Sequence, residues 1–291
     1  MPSRFILPSA IACLLAACAS SPKPATAVTA PVDPATQRWQ TYERMEGAYY
    51  LLDKQDFSQL SCHIDVPVAD KFVQQLRVSM AHVADKIDFT DTLSSYRLTY
   101  SKLTGLHIED PTIDVQVKPG VQIPDPAKVE KGRTEIHDGF SHLIQGVDAE
   151  ITGLLSLLES GKPQDIDVQS IRETPGGYEF SMLDKRSNMQ MTGTRSGMNL
   201  DTKFNSPAGD TTSTETLMAL PDGKLVPKTI VIDTKQQQLV DSHVSVSMDY
   251  QPVGGLTFPS RIAVQATTQS LNTTQMNTTF DIAFTDCTLT K

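Results

Sequence analysis

The chain has 291 residues, with 25 Lys+Arg against 34 Asp+Glu, a formal net charge of -9, 39% hydrophobic residues and 6% aromatics. The acidic balance argues against a nucleic-acid binder, because no basic excess exists to neutralise phosphates, and the apolar fraction is too high for a wholly disordered chain. The length fits one large domain or two small ones, and four cysteines are too few for a scaffold built on disulfides.

Arg4 is the only charge in the first seventeen residues, and Phe5 to Ala17 is apolar apart from Pro8 and Ser9. So short a stretch cannot cross a hydrocarbon core of about 30 Å, so it reads as a secretory signal. It ends Leu15-Ala16-Ala17-Cys18, which resembles the lipobox of bacterial lipoproteins. That resemblance implies cleavage after Ala17 and acylation of Cys18, which becomes the membrane anchor. Residues 19–34, with Pro22, Pro24, Pro31 and Pro34 among Ala, Ser and Thr, cannot bury enough to fold and read as an extended tether. Ala19 and Ser20 are not aspartates, which in the sorting pattern of such lipoproteins implies the outer membrane, facing the periplasm. The chain therefore divides into a signal peptide (1–17), a lipidated cysteine with a disordered tether (18–34) and one folded domain (35–291). Cys13 leaves with the signal, so Cys62 and Cys287 remain. In an oxidising compartment they are expected to form a disulfide; two separate buried thiols are the alternative.

Asp33 and Pro34 suit a helix start, and Trp39, Tyr42, Tyr49 and Leu52 recur at helical spacing to about Asp53. Leu60, Cys62, Ile64 and Val66 alternate as a strand. Val68, Phe72, Leu76, Met80, Val83 and Ile87 form one stripe of a second helix, followed by alternation at Tyr96, Leu98 and Tyr100 and at Ile113, Val115 and Val117. Pro119 to Lys131 reads as a loop. A third helix is expected from about Glu135 to Glu159, capped by Thr134, with an apolar stripe from Ile136 through Phe140, Leu143, Val147, Ile151 and Leu154 to Leu158. Gly139, Gly146 and Gly153 lie on nearly one face of it and suggest a groove approached closely by another backbone or by a ligand chain, with packing on a sheet the favoured reading. From Gln164 onward only strands and turns are expected, with turns at Thr174–Gly177, Asp222-Gly223 and Gly254-Gly255. About a dozen strands with three helices and no βαβ rhythm predict an α+β fold, an antiparallel sheet with helices on one face.

Two closing segments carry a resemblance: the strand led by Pro221-Asp222-Gly223-Lys224-Leu225-Val226-Pro227, and Val244 to Tyr250 followed by Pro252-Val253-Gly254-Gly255-Leu256-Thr257-Phe258-Pro259 and the strand from Ser260 to Ala266. They are similar to the closing strands of the lipoprotein-carrier fold, the LolA/LolB-like superfamily. The resemblance implies a strongly curved antiparallel sheet, an unclosed barrel, whose concave side is covered by helices with an acyl chain between them. Seven of the ten methionines lie between Met182 and Met276, and such flexible side chains suit a wall around a disordered chain. Phe72, Leu76, Phe140, Val147, Met182, Met191 and Met248 are the candidate cavity residues.

Catalytic patterns are missing. Gly139-Phe140-Ser141-His142-Leu143 lacks the second glycine of a nucleophile elbow, and the six histidines include no H-E-x-x-H. No metal or cofactor is expected, and no enzyme activity. The expectation is a non-enzymatic lipoprotein that binds or transfers a lipid or a lipoprotein acyl chain. The alternative is an envelope scaffold that binds other envelope proteins and has no ligand cavity.

Overall fold

The computed structural model describes residues 33–122, 124–206, 209–236, 240–270 and 275–291. The segments read from the sequence as signal peptide and tether, with Cys18, lie outside them apart from Asp33 and Pro34. Among the described residues three α-helices, α1 (Pro34–Glu46), α2 (Pro67–Met80) and α3 (Pro126–Ser156), accompany fourteen strands. These are β1 (Gln59–Asp65), β2 (Ile87–Asp91), β3 (Arg97–Ser101), β4 (Gly105–Glu109), β5 (Ile113–Val117), β6 (Ile166–Thr174), β7 (Gly177–Asp184), β8 (Met189–Ser196), β9 (Asn199–Ser206), β10 (Gly209–Ala219), β11 (Leu225–Gln236), β12 (Val240–Val253), β13 (Leu256–Ser270) and β14 (Met276–Thr290).

Twelve of them form one antiparallel sheet in the order β4-β3-β1-β14-β13-β12-β11-β10-β9-β8-β7-β6, while β2 and β5 pair separately. The large sheet is not closed: β4 and β6 are its two edges. This is the α+β arrangement expected, a curved sheet with helices against it. Alternation decides which face is covered, because side chains on a strand point to opposite faces in turn. Ile230, Val246, Val264 and Phe280 are register neighbours across β11 to β14. Met248, Ile262 and Ile282 form the next row, and Ile64 of β1 faces Phe284. The cluster that buries these rows includes Ala69 and Val73 of α2 and Phe140, Ile144, Val147 and Ile151 of α3. A second cluster sets Tyr42 and Met45 of α1 on Val168, Phe180 and Met182, and Arg38 Nε donates to the Val168 carbonyl at 2.8 Å.

The register of β1 on β14 shifts between Ser61 and His63. On β14 the opposing bulge holds Asp286 in the left-handed region, with φ 47°, a conformation that aspartate tolerates better than most residues. Cys62 and Cys287 meet there in a disulfide spanning 225 positions of sequence.

Several boundaries differ from the sequence expectation. α3 begins at Pro126, inside the stretch expected to be a loop: Pro126 takes the first turn, where its missing N–H costs nothing, and the Asp125 carboxylate caps it by accepting from the Lys128 N–H at 3.1 Å. Thr134 is no cap, since its hydroxyl donates to the Glu130 carbonyl. The stripe beginning at Val68 leaves α2 at Met80, with Val83 in a 3-10 turn and Ile87 in β2. Tyr49 and Leu52 lie beyond α1, which ends at Glu46. Gly139, Gly146 and Gly153 face solvent, not a sheet: a Cβ would meet nothing within 4 Å at Gly146 or Gly153, and only Phe72 Cζ at 3.9 Å at Gly139.

Two stability outcomes follow. Gly146→Ala and Gly153→Ala are each expected to raise unfolding free energy by about 0.5–1 kcal/mol, because they remove backbone freedom from the unfolded chain without meeting a neighbour; urea midpoints measure this. Replacing Cys62 and Cys287 together by alanine is expected to cost about 2–5 kcal/mol under oxidising conditions, and a reductant added to the wild type should reproduce most of that loss.

Candidate functional site

The seven candidate cavity residues fall into two separate groups. Phe140, Val147 and Met248 are buried in the main core, with Phe72 and Leu76 packed on it half-buried. The Phe72 and Phe140 rings are 5.8 Å apart. Met182 is buried in the α1 cluster, with Met191 packed against it. Both of these also line a hollow of about 480 Å³ of mixed polarity, together with Tyr42, Ile166, Phe204, Asp165 and Arg186. Under α3 the covered face of the large sheet is occupied by the phenylalanine and aliphatic side chains of the helix itself.

An apolar cleft of about 380 Å³ lies elsewhere, beside the β2–β5 pair. Met80 at the end of α2 and Val83 in the turn beyond it form one wall; Ile87 of β2 with Val115 and Val117 of β5 form another; Val129, Gly132 and Ile136 of α3 form the third. None of the seven candidates lines it. Its walls come from local patterns already visible in the sequence: the far end of the Val68–Ile87 stripe, the Val115/Val117 alternation, and the first apolar residue of the α3 stripe. The registers explain the juxtaposition. Ile87 pairs with Val117 and Phe89 with Val115, so these four share a face. Arg77 of α2 places its guanidinium 5.1 Å from the Phe89 ring centroid and pairs with Asp91, which docks α2 on this small sheet. What the sequence concealed is the start of α3 ahead of Thr134. With Pro119 to Lys131 read as a loop there is no third wall, whereas the first turns of α3 bring Val129 and Gly132 to the cleft.

A second notable region is electrostatic. Arg195 of β8 lies over the rings of Tyr178 and Tyr49, at 5.6 and 5.7 Å from their centroids, and its Nε and Nη1 are buried without a hydrogen-bond partner. Register places Arg195 opposite Leu200, and Leu200 opposite Glu215. The arginine and the glutamate thus share a face but stand two strands apart, roughly 10 Å at the usual strand spacing. Burial, with no compensating cation, pushes the Glu215 carboxyl from the ordinary 4.5 up to about 7. Burial also lifts Tyr49 to about 12, with Arg195 working against it. On α3, burial raises Asp148 to about 6; the Tyr96 hydroxyl donating to it at 2.5 Å opposes the shift, and neighbouring Asp110 adds to it. Among the described residues no three His, Cys, Asp or Glu side chains gather as a metal site. None of the described helices is long and apolar enough to cross a membrane.

These carboxyls make stability depend on pH in a definite direction. A native-state pKa above the unfolded one means that the folded chain holds its proton longer. Stability therefore falls as pH rises from about 4.5 to 7 through Glu215, with Asp148 contributing the same sign up to about 6. Glu215→Gln is expected to flatten most of that fall and to stabilise the protein at pH 8 relative to wild type, as read from urea unfolding at pH 5 and pH 8. An unchanged slope in this variant would show that the carboxyl is solvated.

No protein-family model, no curated protein and no solved structure matches this chain.

Proposed function

We propose that this chain is a non-enzymatic lipoprotein of the bacterial outer membrane, held by an acylated Cys18 and facing the periplasm, that binds an acyl chain non-covalently. The observation that supports this reading is the cleft between the β2–β5 pair, α2 and α3, whose walls are almost entirely aliphatic. Its volume of about 380 Å³ lies within the usual span of small-ligand sites, about 300–1,000 Å³. Water in such a space finds few hydrogen-bond partners, and an alkyl chain replaces it favourably. Each methylene buried is worth about 0.8 kcal/mol, so six supply roughly 5 kcal/mol before the costs of ordering the ligand are met. Binding of that kind is reversible, which is what holding and handing on a lipid require. The lipobox-like Leu15–Cys18 supports an anchored protein working beside a membrane. The alternative, an envelope scaffold that binds protein, would gain from a broad exposed apolar patch. Val78 and Leu103 stand exposed, but single exposed apolar residues are ordinary on soluble surfaces.

The test uses the full chain with Cys18→Ala, recovered from a bacterial envelope fraction. Native mass spectrometry is expected to show a lipid-sized adduct, released by organic solvent. Ile136→Trp, which fills the cleft from α3, is expected to lose the adduct while keeping a cooperative thermal transition. A chain free of adduct that also fails to take up added acyl ligand would end this reading.

A further inference from the structure

The polar lining of the cleft is one-sided in charge. Two ionisable side chains border it, Lys86 just before β2 and Arg133 on α3, and both are cations, in a chain where acids outnumber bases by 34 to 25. The remaining polar side chain there is the neutral Gln122. The backbone is fixed at Lys86 and the guanidinium is fixed at Arg133. The Lys86 carbonyl accepts from the Lys118 N–H at 2.9 Å, extending the β2–β5 ladder and fixing the backbone at the cleft. Arg133 is gripped by Glu130 through two hydrogen bonds, Nη2 to Oε1 at 2.7 Å and Nε to Oε2 at 3.1 Å. Glu130 itself is not part of the lining. The Lys118 ammonium is directed elsewhere, donating to the Ala84 carbonyl at 2.8 Å and facing Asp88 at 3.8 Å. Among the described residues the Lys86 ammonium is exposed and forms no ion pair.

Size adds a second constraint. At about 30 Å³ per water-sized group, a cleft of about 380 Å³ holds roughly a dozen such groups, which matches one medium-length alkyl chain.

We propose that the cleft takes a free single-chain anionic amphiphile, of which a medium- or long-chain carboxylate is the simplest, with its tail among Val115, Val117, Val129 and Ile136 and its headgroup between Lys86 and Arg133. This inference rests on the acyl-binding reading of the same cleft and adds the charge and the chain number of its ligand. A lone carboxylate approaching a chain of net charge -9 is repelled at long range, so local attraction, from Lys86, unpaired among the described residues, and from Arg133 shared with Glu130, decides whether it is admitted. Their attraction is screened by salt.

The experiment titrates the full chain carrying Cys18→Ala with laurate and with dodecanol, below their aggregation thresholds, at 20 mM and 300 mM salt by calorimetry. Laurate is expected to bind at least tenfold tighter than dodecanol at low salt, with the gap narrowing at high salt. The Lys86→Gln/Arg133→Gln pair is expected to bring laurate down to the affinity of dodecanol, with thermal unfolding serving as the check on folding. Equal binding of the two probes by the unaltered side chains would overturn the headgroup assignment and leave the acyl-binding reading standing. Failure of both probes would overturn both. Laurate binding that survives Ile136→Trp would put the ligand elsewhere and overturn the placement. Full-length acylated protein that refuses laurate while the Cys18→Ala chain accepts it would identify the chain's own anchor as the occupant, against this proposal.

Discussion

Burial of the α3 stripe against the large sheet is the contact on which the rest of the molecule depends. An open sheet with one apolar face is not stable alone, because that face must be withdrawn from water. Phe140, Ile144, Val147 and Ile151 supply the cover for rows contributed by β11 to β14 and by β1. Interiors pack at crystal-like density, and here the covering helix fills the curve of the sheet with its own side chains. The consequence for ligand binding is direct. The apolar cleft lies beyond that contact, where the first turns of α3 pass the small β2–β5 pair. At that point the helix presents Val129, Gly132 and Ile136 in place of phenylalanine.

The two halves of the large sheet are covered in different ways. α2 and α3 serve the strands around β14, while α1 serves β6 and β7 with Tyr42 and Met45. Between them the covered face carries Arg195, Thr202, Ser213 and Glu215, a polar stretch in which only some groups find partners. Thr202 donates to the Ser213 carbonyl at 3.5 Å, whereas Arg195 leaves two nitrogens unmatched and Glu215 responds to its surroundings by holding its proton to higher pH. Buried polar groups without partners cost free energy, so this stretch is where the sheet gives up stability, and it is confined to the region that neither α3 nor α1 seals.

Much of the fold was legible in the sequence because strands on a half-buried sheet advertise themselves with a period of two. Leu60, Cys62, Ile64 and Val66 are all buried, and the turns at Gly223 and Gly254-Gly255 stand where the glycines announced them, each with positive φ. The joining of Cys62 to Cys287 followed from counting thiols. The failures have physical causes. A proline-rich, charged stretch resembles a loop, yet Asp125 and Pro126 are a cap and a first turn, and the periodicity behind them begins too gently to be noticed. The Val68–Ile87 stripe continued past Met80 because a 3-10 turn and then a strand kept apolar residues at similar spacing. Bulk and flexibility, which mark the candidate cavity residues, are properties that filled cores and ligand walls share. What distinguishes the cleft is a deficit of bulk where three elements converge, and that depends on tertiary placement.

The pairing of the first strand with the last has a consequence for how the molecule comes into being. β1 lies between β3 and β14, so its partner on one side is a segment that follows it by 225 positions at the Cys62–Cys287 pair. Until that segment has been synthesised and delivered, Leu60 and Ile64 have only half their neighbours, and the sheet cannot extend from its small N-terminal portion to its large C-terminal one. Contacts so distant along the chain pay their loop-closure entropy late and fold slowly. The oxidation that links the two strands secures this junction only after assembly, acting as a latch on a finished object and offering no guide while it is being built.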